Sequence, residues 1–259
     1  MKHNTAEIRK ENKKALPKFL LIMLLCAVLG GILGGGISVL KNNGGIERLP
    51  EMLAAILTKS MYFGTPVCGI LMLVPAAVIL HQVKKMFMGW DGEDEACVER
   101  MEYLLNWPMI LSGLLMPLVF FFFSAGMVYA NGAMNILLIL GEMLAGLVAV
   151  MLMQQKTVDM TRMLNPEKKG SIYDTDFQKK WLDSCDENEQ RQIGEAAYFS
   201  FKAVNVTCMA LWAMLIMTHT VFHTGILPMA LVLVIWGVLQ GSYFYACLKV
   251  SRKEKKSIR

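Results

Sequence analysis

"WPMILSGLLMPLVFFFFSAGMVYANGAMNILLILGEMLAGLVAVMLMQQ", Trp107–Gln155, holds two long apolar runs with only "YANGA" between them. Each run, Trp107–Val128 and Met134–Gln155, has the ~20 residues that an α-helix needs to cross a ~30 Å hydrocarbon layer. No water reaches that layer, so a crossing segment must satisfy its own backbone hydrogen bonds, and runs of this length do so as helices. Strands of a barrel would be about half as long and would alternate in polarity. The stretch therefore reads as a helical hairpin in lipid, with a single acid, Glu142, inside its second run.

Four further runs flank the hairpin: Phe19–Leu40, Met61–Val83, Ala203–Thr220 and Leu227–Leu248. The expected fold is all-α: a polytopic membrane protein whose six spans form one bundle over residues 19–248. Loops 84–106 and 156–202, an arm of 1–18 and a tail of 249–259 complete it. Composition agrees. Hydrophobic residues make up 55% and charged residues 18%, against about 45–50% and about 25% in soluble domains. The first run exceeds the 7–15 apolar residues of a secretory signal and no A-x-A site follows it, so it is expected to remain as a span.

Lys and Arg near span ends set orientation. The arm, the two long loops and the tail hold 23 of the 26 basic residues, leaving Lys41, Arg48 and Lys59 for the opposite face. Both termini and both long loops are accordingly expected in the cytoplasm. Cysteines fit, since Cys97 and Cys185 fall in those loops, where thiols stay reduced, and the other four fall inside spans. The net charge of +5 sits beside the spans, where it serves lipid contact; no nucleic-acid partner is expected.

Proline occurs within spans at Pro66, Pro75 and Pro117, each expected to remove a helix donor. In "GGILGGG", Gly30/Gly34 and Gly31/Gly35 form small-residue faces suited to close helix packing. The stretch after it, "ERLPEMLAAILTKS", predicts a short interfacial helix with Pro50 in its first turn.

Both long loops carry acidic helix starts. Asp91, Glu93, Asp94 and Glu95 precede an apolar stripe of Val98, Met101 and Leu105, where negative charge meets the positive end of the helix dipole. In "KKGSIYDTDFQKKWLDSCDENEQRQIGEAAYFSFKAVN", Lys168–Asn205, Thr175/Gln178 and Ser184/Glu187 have capping-box spacing. That segment is expected to be a helical elbow on the inner membrane surface, with Trp181 an interfacial aromatic and Lys179 and Lys180 towards lipid phosphates. Asp183, Asp186, Glu187, Glu195 and Trp181 are its candidates for docking a cytoplasmic protein partner.

Glu142 lies about 12 Å from the nearer end of its run at 1.5 Å per residue. Charged, it costs about 2.5–3.5 kcal/mol at mid-helix; protonating it at neutral pH costs a comparable amount. Magnitude alone leaves two readings open: a neutral carboxyl bonded to a neighbouring helix, or a site for a cation, proton or substrate. Asn205 and Gln240 are further intramembrane polar candidates, as interhelical partners or ligand groups. His219 and His223, one turn apart, have metal-ligand spacing but lack further ligands, so no metal and no cofactor is expected. Phosphate-loop, H-E-x-x-H and G-x-S-x-G motifs are missing from the sequence. A transport ATPase would have to be a separate subunit.

The run "NPEKKGSIYDTDFQKKWLDSCDENEQRQIGEAAYFSF", Asn165–Phe201, together with the basic arm, the six runs and the basic tail, resembles a bacterial membrane-protein family known as domain of unknown function 3169. The resemblance implies a bacterial plasma-membrane location and carries over no site. Two function classes stay open: a small permease or membrane subunit of an export or resistance system, and a non-transporting regulator or scaffold. The first expects an ATPase subunit or other partner at the elbow, the second a regulatory protein there. A homo-oligomer is compatible with either, and no enzyme constellation is present.

Overall fold

The computed structural model describes residues 49–257 and scattered helical positions between 16 and 39, without the side chains of 49, 220–222 and 250–257. The arm, the span expected over 19–40 and its glycine faces fall outside the described residues apart from those positions. All regular structure among the described residues is helical. In chain order the helices are α1 (Leu49–Ser60), α2 (Gly64–Met88), α3 (Glu95–Tyr129), α4 (Ala133–Leu164), α5 (Phe177–Asp183), α6 (Glu187–Phe222) and α7 (Leu227–Ser257). Five of them, α2, α3, α4, α6 and α7, are long and apolar enough to cross a membrane, yet at most 28% of any of their apolar windows is buried. Contiguous apolar surface on this scale marks a face built for lipid or for another protein.

The chain falls into two compact units, Glu51–Ala196, and Ala197–Arg259 with Met1–Pro50. In the first, α2, α3 and α4 pack side by side, and their shared seam is layered. Val83, Met101, Leu105, Met160 and Leu164 are buried at the end nearest the long loops. Leu115, Val119 and Val150 fill the middle, and Met61, Ala125 and Ile139 close the end at the α3–α4 turn. Met101 and Leu105 of the expected stripe are thus core residues, and α3 runs unbroken from its acidic start at Glu95 through the apolar run.

Two buried hydroxyls in this seam bond within their own helices. The buried Ser112 hydroxyl donates to the Pro108 carbonyl at 2.6 Å and Thr157 to the Met153 carbonyl at 2.9 Å, the back-bonding that lets hydroxyls sit inside helices. Asp94 caps α3 by accepting from the N–H groups of Ala96 and Cys97.

Two expectations are corrected here. The helix of the second expected span starts at Gly64 rather than Met61, because Met61–Phe63 form a turn in which the Phe63 N–H donates to Ser60 and Met61 is driven into the core. Pro66 therefore falls in the first turn of α2, where no intrahelical donor is lost. The short helix expected after residue 48 is α1, with Pro50 as its second residue.

The turn at Ala130–Gly132 depends on close approach of α3 and α4. A Cβ on Gly126 would stand 2.6 Å from Ile139 Cγ2. Gly126→Ala is expected to cost about 1–3 kcal/mol through overpacking, lowering the melting temperature of the detergent-solubilised protein. Gly113→Ala, whose Cβ would meet nothing within 4 Å, should not lower it.

Candidate functional site

Three polar sites stand out within the units. The largest lies beneath the elbow. After α4 ends, residues 165–176 fold back and are pinned by Gln155, a buried side chain of α4. Its Oε1 accepts from the Ser171 hydroxyl at 3.0 Å and from the Ile172 N–H at 2.9 Å. Its Nε2 donates to Asp159 at 2.8 Å. A buried amide with both ends satisfied holds a loop firmly. Gly170, at φ 121°, turns the chain; a Cβ there would press on the Phe177 ring.

The α5–α6 corner is closed by a reciprocal cap. The Glu189 N–H donates to Asp186 Oδ1 at 2.7 Å and the Asp186 N–H to Glu189 Oε2 at 3.0 Å. The boxes expected at Thr175/Gln178 and Ser184/Glu187 are not those that form; Asp186/Glu189 has the same spacing and the stronger acceptor. Ser184 instead donates to the Trp181 carbonyl at 2.7 Å and accepts from the Lys169 N–H at 3.1 Å.

Under this corner Lys168 is 5% exposed. Its ammonium pairs with Glu189 and donates to Cys185 Sγ at 3.7 Å. Burial pulls Lys168 down, but the bond to Glu189 and the fields of Cys185 and Glu189 outweigh it and leave its pKa above the ordinary value. Glu189 is held below the usual carboxylate range, first by that bond. Burial pushes the Cys185 thiol up, and Lys168 only partly offsets it.

A groove of about 720 Å³ runs between this corner and the neighbouring ends of α3 and α4; Glu102, Asn106, Asn165, Lys168 and Trp181 are among its lining. The Asn165 amide donates to Glu102 Oε1 across it at 2.6 Å.

The second site surrounds Glu142. A cavity of about 410 Å³ is lined by Thr65, Pro66 and Gly69 of α2, Leu115 and Val119 of α3, and Glu142 and Gly146 of α4. Glu142 Oε2 is enclosed and has no hydrogen-bond partner among the described residues.

The third lies in the other unit. Asn205 of α6 accepts from the Trp236 indole N–H and from the Gln240 amide at 3.0 Å, both on α7. One stacked ring pair, Phe201 and Tyr243 at 4.5 Å, joins the same two helices.

Residues 13–247 match a family model described as a protein of unknown function, DUF3169. The chain belongs to the DUF3169 family. Neither a curated protein nor a solved structure matches it.

This DUF3169 chain brings together some of the residues singled out in its sequence and separates others. Asn205 and Gln240 meet directly, and Trp236, not anticipated, completes their contact. Of the docking candidates, Asp183 and Glu187 stand exposed, Glu195 pairs with Arg191 at 3.4 Å, and Asp186 is committed to its cap. Trp181 is half-buried and lines the groove, and Lys180 pairs with Asp174 instead of standing free for lipid. The rings of His219 and His223 are 6.4 Å apart, and His219 Nδ1 accepts from the Gly225 N–H at 3.2 Å. No cluster of three metal-ligating side chains occurs among the described residues. Lys168, Gln155 and Glu102 were not singled out. Gln155 closes an apolar run and Glu102 and Lys168 lie in the loops beside such runs, and position of that kind does not separate a buried anchor from a solvated one.

Proposed function

We propose that this DUF3169 chain is a six-span protein of the bacterial plasma membrane that works as a small permease or as the membrane subunit of an export system. Its arm, long loops and tail face the cytoplasm, and Glu142 is its coupling group for a proton or another cation. The observation that carries this reading is the enclosed Glu142 oxygen without a partner, set on a cavity among apolar helices. An unsatisfied buried polar atom calls for a reason, and ionisable groups at such depth face the pathways of ions and substrates. Small groups on the cavity wall, Gly69 and Gly146, leave room beside the carboxyl.

Dicyclohexylcarbodiimide, which reacts with protonated carboxyls in apolar surroundings, tests this in purified protein. Glu142 should be modified at low pH and protected as pH or sodium concentration rises, read by peptide mass spectrometry. Modification that ignores both, or none at Glu142, would contradict a cation-coupling role.

A further inference from the structure

We infer that the groove under the elbow is a binding site for a monovalent organic cation with an apolar body. This goes beyond the transport reading and does not need it. Charge decides the sign of the ligand. The cation in the lining, Lys168, is buried and committed to Glu189 and Cys185, so no free cation is left in the lining to receive a phosphate or carboxylate. Against it stand two carboxylates. Glu189 is paired with Lys168, whereas Glu102, exposed at the groove's edge, accepts from the Asn165 amide and pairs with no cation among the described residues, which leaves one carboxylate in the lining without a counter-ion.

Shape and surface decide the rest. At about 720 Å³ the groove falls within the ~300–1,000 Å³ of small-molecule sites. The Phe177 and Trp181 rings stand 5.6 Å apart at 49° in its lining, and an indole face attracts a cation held over it. Leu182 and Ile193, both exposed in the lining, add apolar surface. A carboxylate, an indole and an apolar wall together favour a lipophilic cation over an inorganic one, whose hydration shell they would not replace.

Tetraphenylphosphonium and tetraphenylborate, alike in size and shape but opposite in charge, are the probes. Binding is measured by equilibrium dialysis to the full chain in nanodiscs of neutral lipid, with empty nanodiscs subtracted. Saturable binding of the phosphonium and none of the borate is expected. Glu102→Gln keeps an oxygen to accept from Asn165 and should weaken the phosphonium roughly tenfold, as loss of one charge contact near a wet interface would. Trp181→Leu should weaken it roughly threefold, while Glu142→Gln binds as the wild type does. Equal binding of the borate, full binding by Glu102→Gln, or a loss in Glu142→Gln as large as in Glu102→Gln would overturn the assignment.

Discussion

Glu189→Ala is expected to free the elbow from the body of the first unit while leaving the apolar helices intact. The substitution strands the buried Lys168 ammonium and removes half of the Asp186 cap. Breaking a buried ion pair costs about 3–5 kcal/mol. Because the Glu189 side chain keeps 39% of its exposure, the lower figure applies, about 3 kcal/mol. Amide exchange across α5 and residues 165–176 should then quicken about a hundredfold, with exchange in the α2–α4 seam unchanged. Lys168→Met combined with Glu189→Leu should recover most of the protection, since an apolar pair replaces buried charge without a desolvation cost.

The same pair fixes a pH window. Glu189 is held below its ordinary 4.5, so its contribution is complete above that value and is lost as pH falls through the depressed one. Lys168 is held above its ordinary 10.5, so its contribution is complete below that value and is lost as pH rises through the raised one. Between these limits the elbow should stay closed, and it should open beyond them on either side.

Glu142→Gln is the second large effect. The side chain keeps its size and the cavity its lining, so the variant should reach the membrane at wild-type levels. What it loses is titration and charge. In vesicles carrying purified protein, radioactive sodium uptake and the collapse of an imposed pH gradient, read with entrapped pyranine, should fall about a hundredfold or to background, the low end of what a positioned proton-transfer group contributes. Retention of full flux by the carboxamide would remove Glu142 from the mechanism.

The apolar helices were legible because their signal is thermodynamic: a run of ~20 residues that cannot remain in water needs no tertiary information to be recognised. Helix starts were legible by type and blurred by position. Asp94 caps α3 where the acidic cluster pointed, but in "DSCDENE" two overlapping frames offer cap spacing, and packing of Glu189 onto Lys168 selects the second. Met61 was assigned to a span because apolarity does not separate a core turn from the first turn of a helix. The elbow groove was illegible for a different reason: it joins Glu102, Lys168 and Glu189, which lie on separate segments and are ordinary in composition. Glu142 was legible as an anomaly of charge against hydropathy, but the cavity beside it needed three helices in place.

We propose that α2–α4 cross a bilayer with the elbow on the cytoplasmic side. Single cysteines introduced at Asn131, in the α3–α4 turn, and at Ser171, in the loop pinned by Gln155, test it with a membrane-impermeant maleimide, each against the parent chain. Asn131→Cys should be labelled in intact cells and Ser171→Cys only after the membrane is opened. Labelling of Ser171→Cys in intact cells, or of both positions from the same side, would contradict the account.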